Sequence, residues 1–224
     1  MLLSSPKGRG FIVAQGYPFI LAGVVLILLG VMGGWPWITV LGLLSAGFFA
    51  YFFRDPEREI PGEPGAIISP ADGLVVQVDE VQESEFLKAP ARRVAIFMNV
   101  FDVHVNRTPV AGVVTAMRHR AGEYKAASRQ DAASRNEQQA LVLENEAGRR
   151  VLVVQIAGLL ARRIIPWVKP SQLLARGERL GLICFGSRVD LYLPGDSQIE
   201  VKTGDRVKAG SSIIGRWHEF PPET

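Results

Sequence analysis

The chain has 224 residues, 48% of them hydrophobic, a size that suits one compact domain or a smaller domain with an appendage. Its net charge of +3, with no long basic run and no interleaving of aromatic and basic residues, argues against a nucleic-acid groove and fits an anionic membrane surface better. The single cysteine, Cys184, excludes an intrachain disulfide and suits a reducing compartment.

No charged residue occurs between Arg9 and Arg54. One helix over that stretch would be roughly twice as long as the ~30 Å hydrocarbon core. The sequence "GGWPW", Gly33 to Trp37, breaks it into two apolar segments, Phe11 to Met32 and Trp37 to Phe53. Trp35 and Trp37 fall at the turn, where amphipathic rings favour a membrane interface. Lys7 and Arg9 precede the pair, and Arg54 and Arg58 follow it. Positive charge at both outer ends predicts a helical hairpin in the cell (inner) membrane, with the rest of the chain on the cytoplasmic side. A cleaved signal peptide has one shorter apolar region and does not account for two long ones. Arg54 and Arg58 are expected to help hold the chain on anionic lipid.

Residues 54–65, "RDPEREIPGEPG", read as a linker. From Ala66 onward the pattern is mainly β. Short apolar runs are separated by turn signals every 8–12 residues, as in a barrel-sandwich body with a few short helices. The segment "ALVLENEAGRRVLVVQIAG" predicts a hairpin turning at Asn145 to Gly148. Glu123 to Gln139 is polar enough for a helix or a loop. The segment "GLICFGSRVDLYLP", Gly181 to Pro194, reads as one strand with Gly186–Ser187 at its centre, and a glycine there weakens it. The organisation predicted is a membrane hairpin at 1–53, a linker at 54–65 and a β domain at 66–224.

The histidines are His104, His119 and His218, and none pairs with another ligand at metal-binding spacing. No glycine-rich nucleotide fingerprint is present. On an alternating strand, Asp102, His104 and Asn106 share one face and Phe101, Val103 and Val105 the other. Asp72 lies in the turn "SPADG". With Ser187, Asp72 and His104 supply the residue types of a Ser/His/Asp set, which is defined by geometry and not by chain order. A serine hydrolase usually carries its nucleophile on an elbow such as GxSxG, and "FGSRV" is not one. The Ser187 hydroxyl is tethered beside the Gly186 carbonyl, and intramolecular attack of that kind reaches effective molarities of about 10⁵–10⁸ M. A histidine that takes the hydroxyl proton completes the activation.

Together, "FFRDPER", "SPADG", "FDVHVNRTPVAG", "VVQIAG" and "RGERLGLICFGSRVDLYLP" resemble the short form of the phosphatidylserine decarboxylases. The likeness runs from the hairpin almost to the C-terminus. It implies that Ser187 attacks the Gly186 carbonyl and that the chain is cut between Gly186 and Ser187. The products are a β chain, 1–186, and an α chain, 187–224, associated as a heterodimer with or without further homo-oligomerisation. Ser187 becomes an N-terminal pyruvoyl group. The triad implied is Asp72, His104 and Ser187, with His104 as base and Asp72 orienting it.

The pyruvoyl group is the implied cofactor. It holds the amine of phosphatidylserine as a Schiff base while CO₂ leaves, giving phosphatidylethanolamine. His104 is the candidate proton donor. A second histidine of long-form relatives falls on Phe101 here, so His104 serves both steps or the donor lies elsewhere. The resemblance implies membrane lipid as partner and no nucleic acid. Three strands, Arg188–Leu193, Ile199–Val201 and Ser212–Ile214, are expected to pair with the β chain. Two other readings remain at this level. One is a membrane-anchored barrel-sandwich adaptor without chemistry, suggested by "GDRVKAGSSIIG". The other is the same reaction on an archaeal-type diether phosphoserine lipid.

Overall fold

The structure is a computed structural model that describes residues 11–122, 136–158, 163–184 and 187–218. It divides into two compact units. One holds the described residues up to Glu57 together with Phe101–Val103; the other holds Arg58–Val100 and the described residues from His104 onward.

In the first unit a 3-10 turn, Ala14–Gly16, leads into α1, Tyr17–Met32, and α2 follows at Pro36–Phe52. Pro18 and Pro36 occupy the first turns, where a missing N–H leaves no hydrogen bond unmade. The helices form the hairpin expected from the sequence. They approach closely at Gly42, where a Cβ would meet the Ile27 backbone nitrogen at 2.7 Å. Leu21, Leu28, Leu43 and Leu44 are all more than half exposed, so the pair is apolar on its outside as well as at its seam. Residues Ala14–Met32 are long and apolar enough to cross a membrane, and Pro36–Phe52 is shorter. Lys7 and Arg9 lie outside the described residues.

Arg54, expected on lipid, is also engaged within the protein. Its guanidinium donates to the carbonyls of Tyr51 and Phe101, each at 2.7 Å, and lies 3.8 Å from the centre of the Tyr51 ring. The Tyr51 hydroxyl also donates to the Phe101 carbonyl. The segment Phe101–Val103 is thus held within this unit and is not strand. The predicted alternation from Phe101 to Asn106 fails for that reason: Val103, His104, Val105 and Asn106 are all buried.

The second unit is mainly β. Its strands are β1 (Ala66–Ile68), β2 (Gly73–Glu83), β3 (Ala89–Met98), β4 (Val105–Arg107), β5 (Gly112–Arg120), β6 (Gln138–Glu144) and β7 (Arg150–Ile156). Then come β8 (Ile164–Pro166), β9 (Leu173–Leu174), β10 (Arg179–Ile183), β11 (Ser187–Pro194), β12 (Gln198–Ile199), β13 (Arg206–Val207) and β14 (Ile213–Arg216). An eight-stranded sheet runs β13-β2-β3-β11-β7-β6-β5-β9, flanked by the three-stranded sheets β1-β14-β12 and β4-β10-β8. One face of the large sheet buries Val94, Ile96 and Met98 of β3, Val151 and Val153 of β7, and Val189, Leu191 and Leu193 of β11. This is the period-2 pattern of strands with one face on the core.

The β6–β7 hairpin turns where the sequence predicts. The Asn145 side chain accepts from the N–H groups of Ala147 and Arg149. Of Glu123 to Gln139, residues 123–135 lie outside the described residues, and Gln138 and Gln139 open β6.

The structure corrects the single-strand reading of Gly181 to Pro194. That stretch forms two strands in two sheets. β10 pairs with β4 and β8, and β11 pairs with β3 and β7. Two apolar runs in series looked like one strand because each alternates or is buried on its own account. Of the three strands expected to pair with the predicted β chain, β11 does so with β3 and β7, and β14 does so with β1. The third differs: Gln198–Ile199 pairs with β14, from its own segment, while Arg206–Val207 supplies an unforeseen pairing with β2.

Candidate active site

Ser187 is the first residue of β11, fully buried, and stands opposite Met98, the last residue of β3. Its side chain shares the core face with Val189 and Leu191 by strand alternation. Its Oγ has no hydrogen-bond partner among the described residues. Phe185 and Gly186 lie outside the described residues, so the predicted scissile glycine has no structural account.

His104 immediately precedes β4 and is fully buried. Its carbonyl accepts from the N–H of Ile183, the last residue of β10, at 3.4 Å. The backbone of the histidine is therefore stitched to the strand that ends just before the cut site proposed from sequence.

Asp72 immediately precedes β2 and is 8% exposed. On β2, Leu74 stands opposite Phe97, and Phe97 stands opposite Arg188 on the far side of β3. Asp72 and Ser187 thus flank the same end of β3 from opposite sides. With neighbouring strands about 4.8 Å apart, the backbones of Gly73 and Ser187 lie roughly 10 Å apart. Gly73 makes the close approach possible. Its φ is +149°, and a Cβ there would run into the Phe97 carbonyl oxygen.

The Asp72 carboxylate is held by residues the sequence did not assign to it. Arg58 Nη2 donates to Oδ1 at 3.0 Å and to Oδ2 at 2.8 Å, and the Ala209 N–H donates to Oδ1 at 2.8 Å. Arg58 is accordingly 12% exposed at its side chain and paired inward, which corrects its expected role on lipid. A polar partner was foreseeable, since a buried carboxylate needs one, but nothing in "RDPER" says which arginine turns inward.

Two further polar residues were missed. Gln155 interrupts the apolar run "VLVVQIAG", and Asn106 follows Val105 in β4; both are fully buried. Gln155 Nε2 donates to Asn106 Oδ1 at 2.8 Å, and Asn106 Nδ2 lies 3.6 Å from the Met98 sulfur. The signal available in the sequence was the lone amide inside an apolar strand, since such a group needs a partner.

The outer face of β11 carries charge. Arg188 and Asp190, side chains 2% and 0% exposed, are joined by two hydrogen bonds at 2.5 and 2.9 Å. Burial pushes the Asp190 carboxyl up, against the pull of the Arg188 guanidinium. Beside them Arg93 on β3 donates twice to Asp79 on β2, at 2.9 and 2.6 Å. Burial also pushes the Cys184 thiol up to about 11, with Arg163 opposing. A thiol so disposed stays protonated near neutrality and is a poor nucleophile. Among the described residues no cluster of three or more His, Cys, Asp or Glu could hold a metal ion.

Ser187 and His104 are fully buried and Asp72 nearly so. The comparisons with known proteins bear on the family. The family model for phosphatidylserine decarboxylase matches residues 45–215. A protein of Symbiobacterium thermophilum named phosphatidylserine decarboxylase proenzyme is 48% identical over 212 residues, 95% of this chain and 98% of that protein. Proteins of the same name from Desulfotalea psychrophila and Syntrophus aciditrophicus are 43% and 42% identical. They cover 90% and 93% of this chain, and 94% and 99% of their own lengths.

Proposed function

The chain belongs to the phosphatidylserine decarboxylase family, and we propose that its pyruvoyl group arises at Ser187 by self-cleavage from Gly186. It is a carboxy-lyase that converts phosphatidylserine to phosphatidylethanolamine and is made as a proenzyme. The observation that carries the Ser187 assignment is its place in the sheets. The bond before it falls after β10 has ended in one sheet and where β11 begins in another. Cutting there severs no strand. A serine within a continuous strand would have to break its ladder.

The residues present fit the group. Ser187 is enclosed, and its hydroxyl is not committed to another partner among the described residues. Once formed, the pyruvoyl group supplies the electron sink that loss of CO₂ from an amino-acid headgroup needs. The chain's own residues do the rest. His104 takes the Ser187 hydroxyl proton. Asp72, fixed by Arg58 and the Ala209 N–H, orients the imidazole and favours its charged form.

The two products stay together as a heterodimer in this reading. β11 is hydrogen-bonded on both sides by strands of the larger chain, and β13 and β14 pair with β2 and β1. The Ala209 N–H on Asp72 adds a tie across the two chains at the site itself. The hairpin anchors the enzyme in the membrane that holds its substrate. Lys7, Arg9 and Arg54 at its ends favour the cytoplasmic side. Intact mass spectrometry of active protein tests the proposal. It should find two chains, the smaller beginning with a pyruvoyl-modified residue 187. An active single chain with an unmodified serine would overturn it.

A further inference from the structure

Gln155 is the polar member of the core face of β7. Val151 and Val153 on that face pack in one core with Met98 of β3 and Val189 of β11, so by alternation Gln155 and Ser187 point to the same side. Gln155 stands opposite Val189, and Ser187 stands opposite Met98. β11 runs between β3 and β7. Asn106 touches Met98 on one neighbour and Gln155 on the other, so its amide spans β11 at the level of Ser187 and Val189. The Met98 sulfur accepts from Nδ2, which sets the Asn106 amide with its oxygen toward Gln155. That in turn commits the Gln155 nitrogen to Asn106 and leaves its oxygen free. Gln155 Oε1 is buried without a hydrogen-bond partner among the described residues, and so is Ser187 Oγ. A buried carbonyl oxygen held open beside a reacting residue is an acceptor awaiting a donor.

We propose that Gln155 Oε1, held in place by Asn106, is the amine acceptor of the active site. The inference rests on Ser187 being the processing residue. In self-processing, Ser187 Oγ bonds to the Gly186 carbonyl carbon and the carbon–nitrogen bond to residue 187 breaks. The hydroxyl proton passes through His104 to that nitrogen. An amide nitrogen thereby becomes an amine with more donors, and an acceptor fixed beside it favours the ester product. The substrate is an amine as well. The serine headgroup must bring its nitrogen to residue 187, and the same oxygen receives it.

The test uses full-length wild type, Gln155→Met, Gln155→Glu and Ser187→Ala. Processing is followed on denaturing gels with and without hydroxylamine, which cleaves esters and spares amides; kcat and KM for phosphatidylserine are measured on the processed fraction. Gln155→Met should process at least tenfold more slowly and show less hydroxylamine-sensitive cleavage. Its KM should rise at least fivefold, with a smaller change in kcat. Gln155→Glu retains an acceptor and should restore both. Wild-type processing and KM in Gln155→Met, or equal impairment in Gln155→Glu, would reduce Gln155 to packing and overturn the proposal. Cleavage of Ser187→Ala would instead remove the processing assignment beneath it. Should Gln155→Met fail to fold, Gln155→Glu decides alone: a pH step in processing that wild type lacks supports the acceptor role, and its absence overturns it.

Discussion

Arg58 holds both carboxylate oxygens of Asp72 from a single nitrogen, at 3.0 and 2.8 Å. The charge on Asp72 is therefore fixed in place by a residue only a few positions beyond the end of α2. Removing the guanidinium takes a positive charge and both of its hydrogen bonds from a nearly buried carboxylate, and a carboxylate so loosened no longer fixes its neighbours in place. Arg58→Gln should slow self-processing about tenfold and cost roughly 1–3 kcal/mol of stability. Arg58→Lys should recover part of both, because an ammonium keeps the charge but ends a shorter side chain than the guanidinium nitrogen that reaches Asp72. Processing time courses and melting midpoints check this; wild-type values for both in Arg58→Gln would refute it.

Ser187→Ala should remain one chain on a denaturing gel, and His104→Ala should process at least about 100-fold more slowly, the scale of a lost general base. In wild type the cleaved chains should co-elute on gel filtration and part only in denaturant, since β11 lies between β3 and β7. Separation of the chains under native conditions would contradict that pairing.

The residue types of the site and the hairpin were legible because they are local. The residue types of a Ser/His/Asp set, a paired apolar stretch and a turn from Asn145 to Gly148 need no partner to be seen. What was hidden depends on which strand lies beside which. Gly181 to Pro194 reads as one strand because burial of β10 and alternation of β11 give continuous hydrophobicity, and nothing local marks a change of sheet. Arg58 looked like a lipid contact because its partner, Asp72, lies across a turn and a strand start. Gln155 and Asn106, on β7 and β4, meet only because two different sheets bring their side chains together. Likewise, "FDVHVN" alternates in sequence, yet Tyr51 and Arg54 hold Phe101 in a loop and cancel the pattern.

The Arg188–Asp190 pair gives a stability test beside the site. The two side chains lie on one face of β11 and are almost wholly buried. Asp190→Ala leaves a guanidinium buried with its main partner gone, and should cost about 3–5 kcal/mol. Replacing both residues by apolar ones of similar size, Arg188→Met with Asp190→Leu, should cost much less, because no unpaired charge remains. Denaturant unfolding of Ser187→Ala backgrounds, which keeps the chain in one piece, measures both. A double variant no more stable than Asp190→Ala would show that the pair does more than satisfy itself.

Cys184 sits just before the bond proposed to break, where a reactive thiol would compete with Ser187. Burial removes that competition by raising the thiol from 9.0 to about 11. Alkylation by iodoacetamide follows the thiolate, so its rate in the folded protein should still be climbing between pH 9 and 11. In the denatured chain it should level off near the ordinary value. The folded protein keeps a proton through that window that the unfolded chain has released, so stability falls as pH rises through it. Cys184→Ser should process at the wild-type rate, since the thiol takes no part. An alkylation rate that is already flat at pH 9 in folded protein would show that the site does not suppress the thiolate.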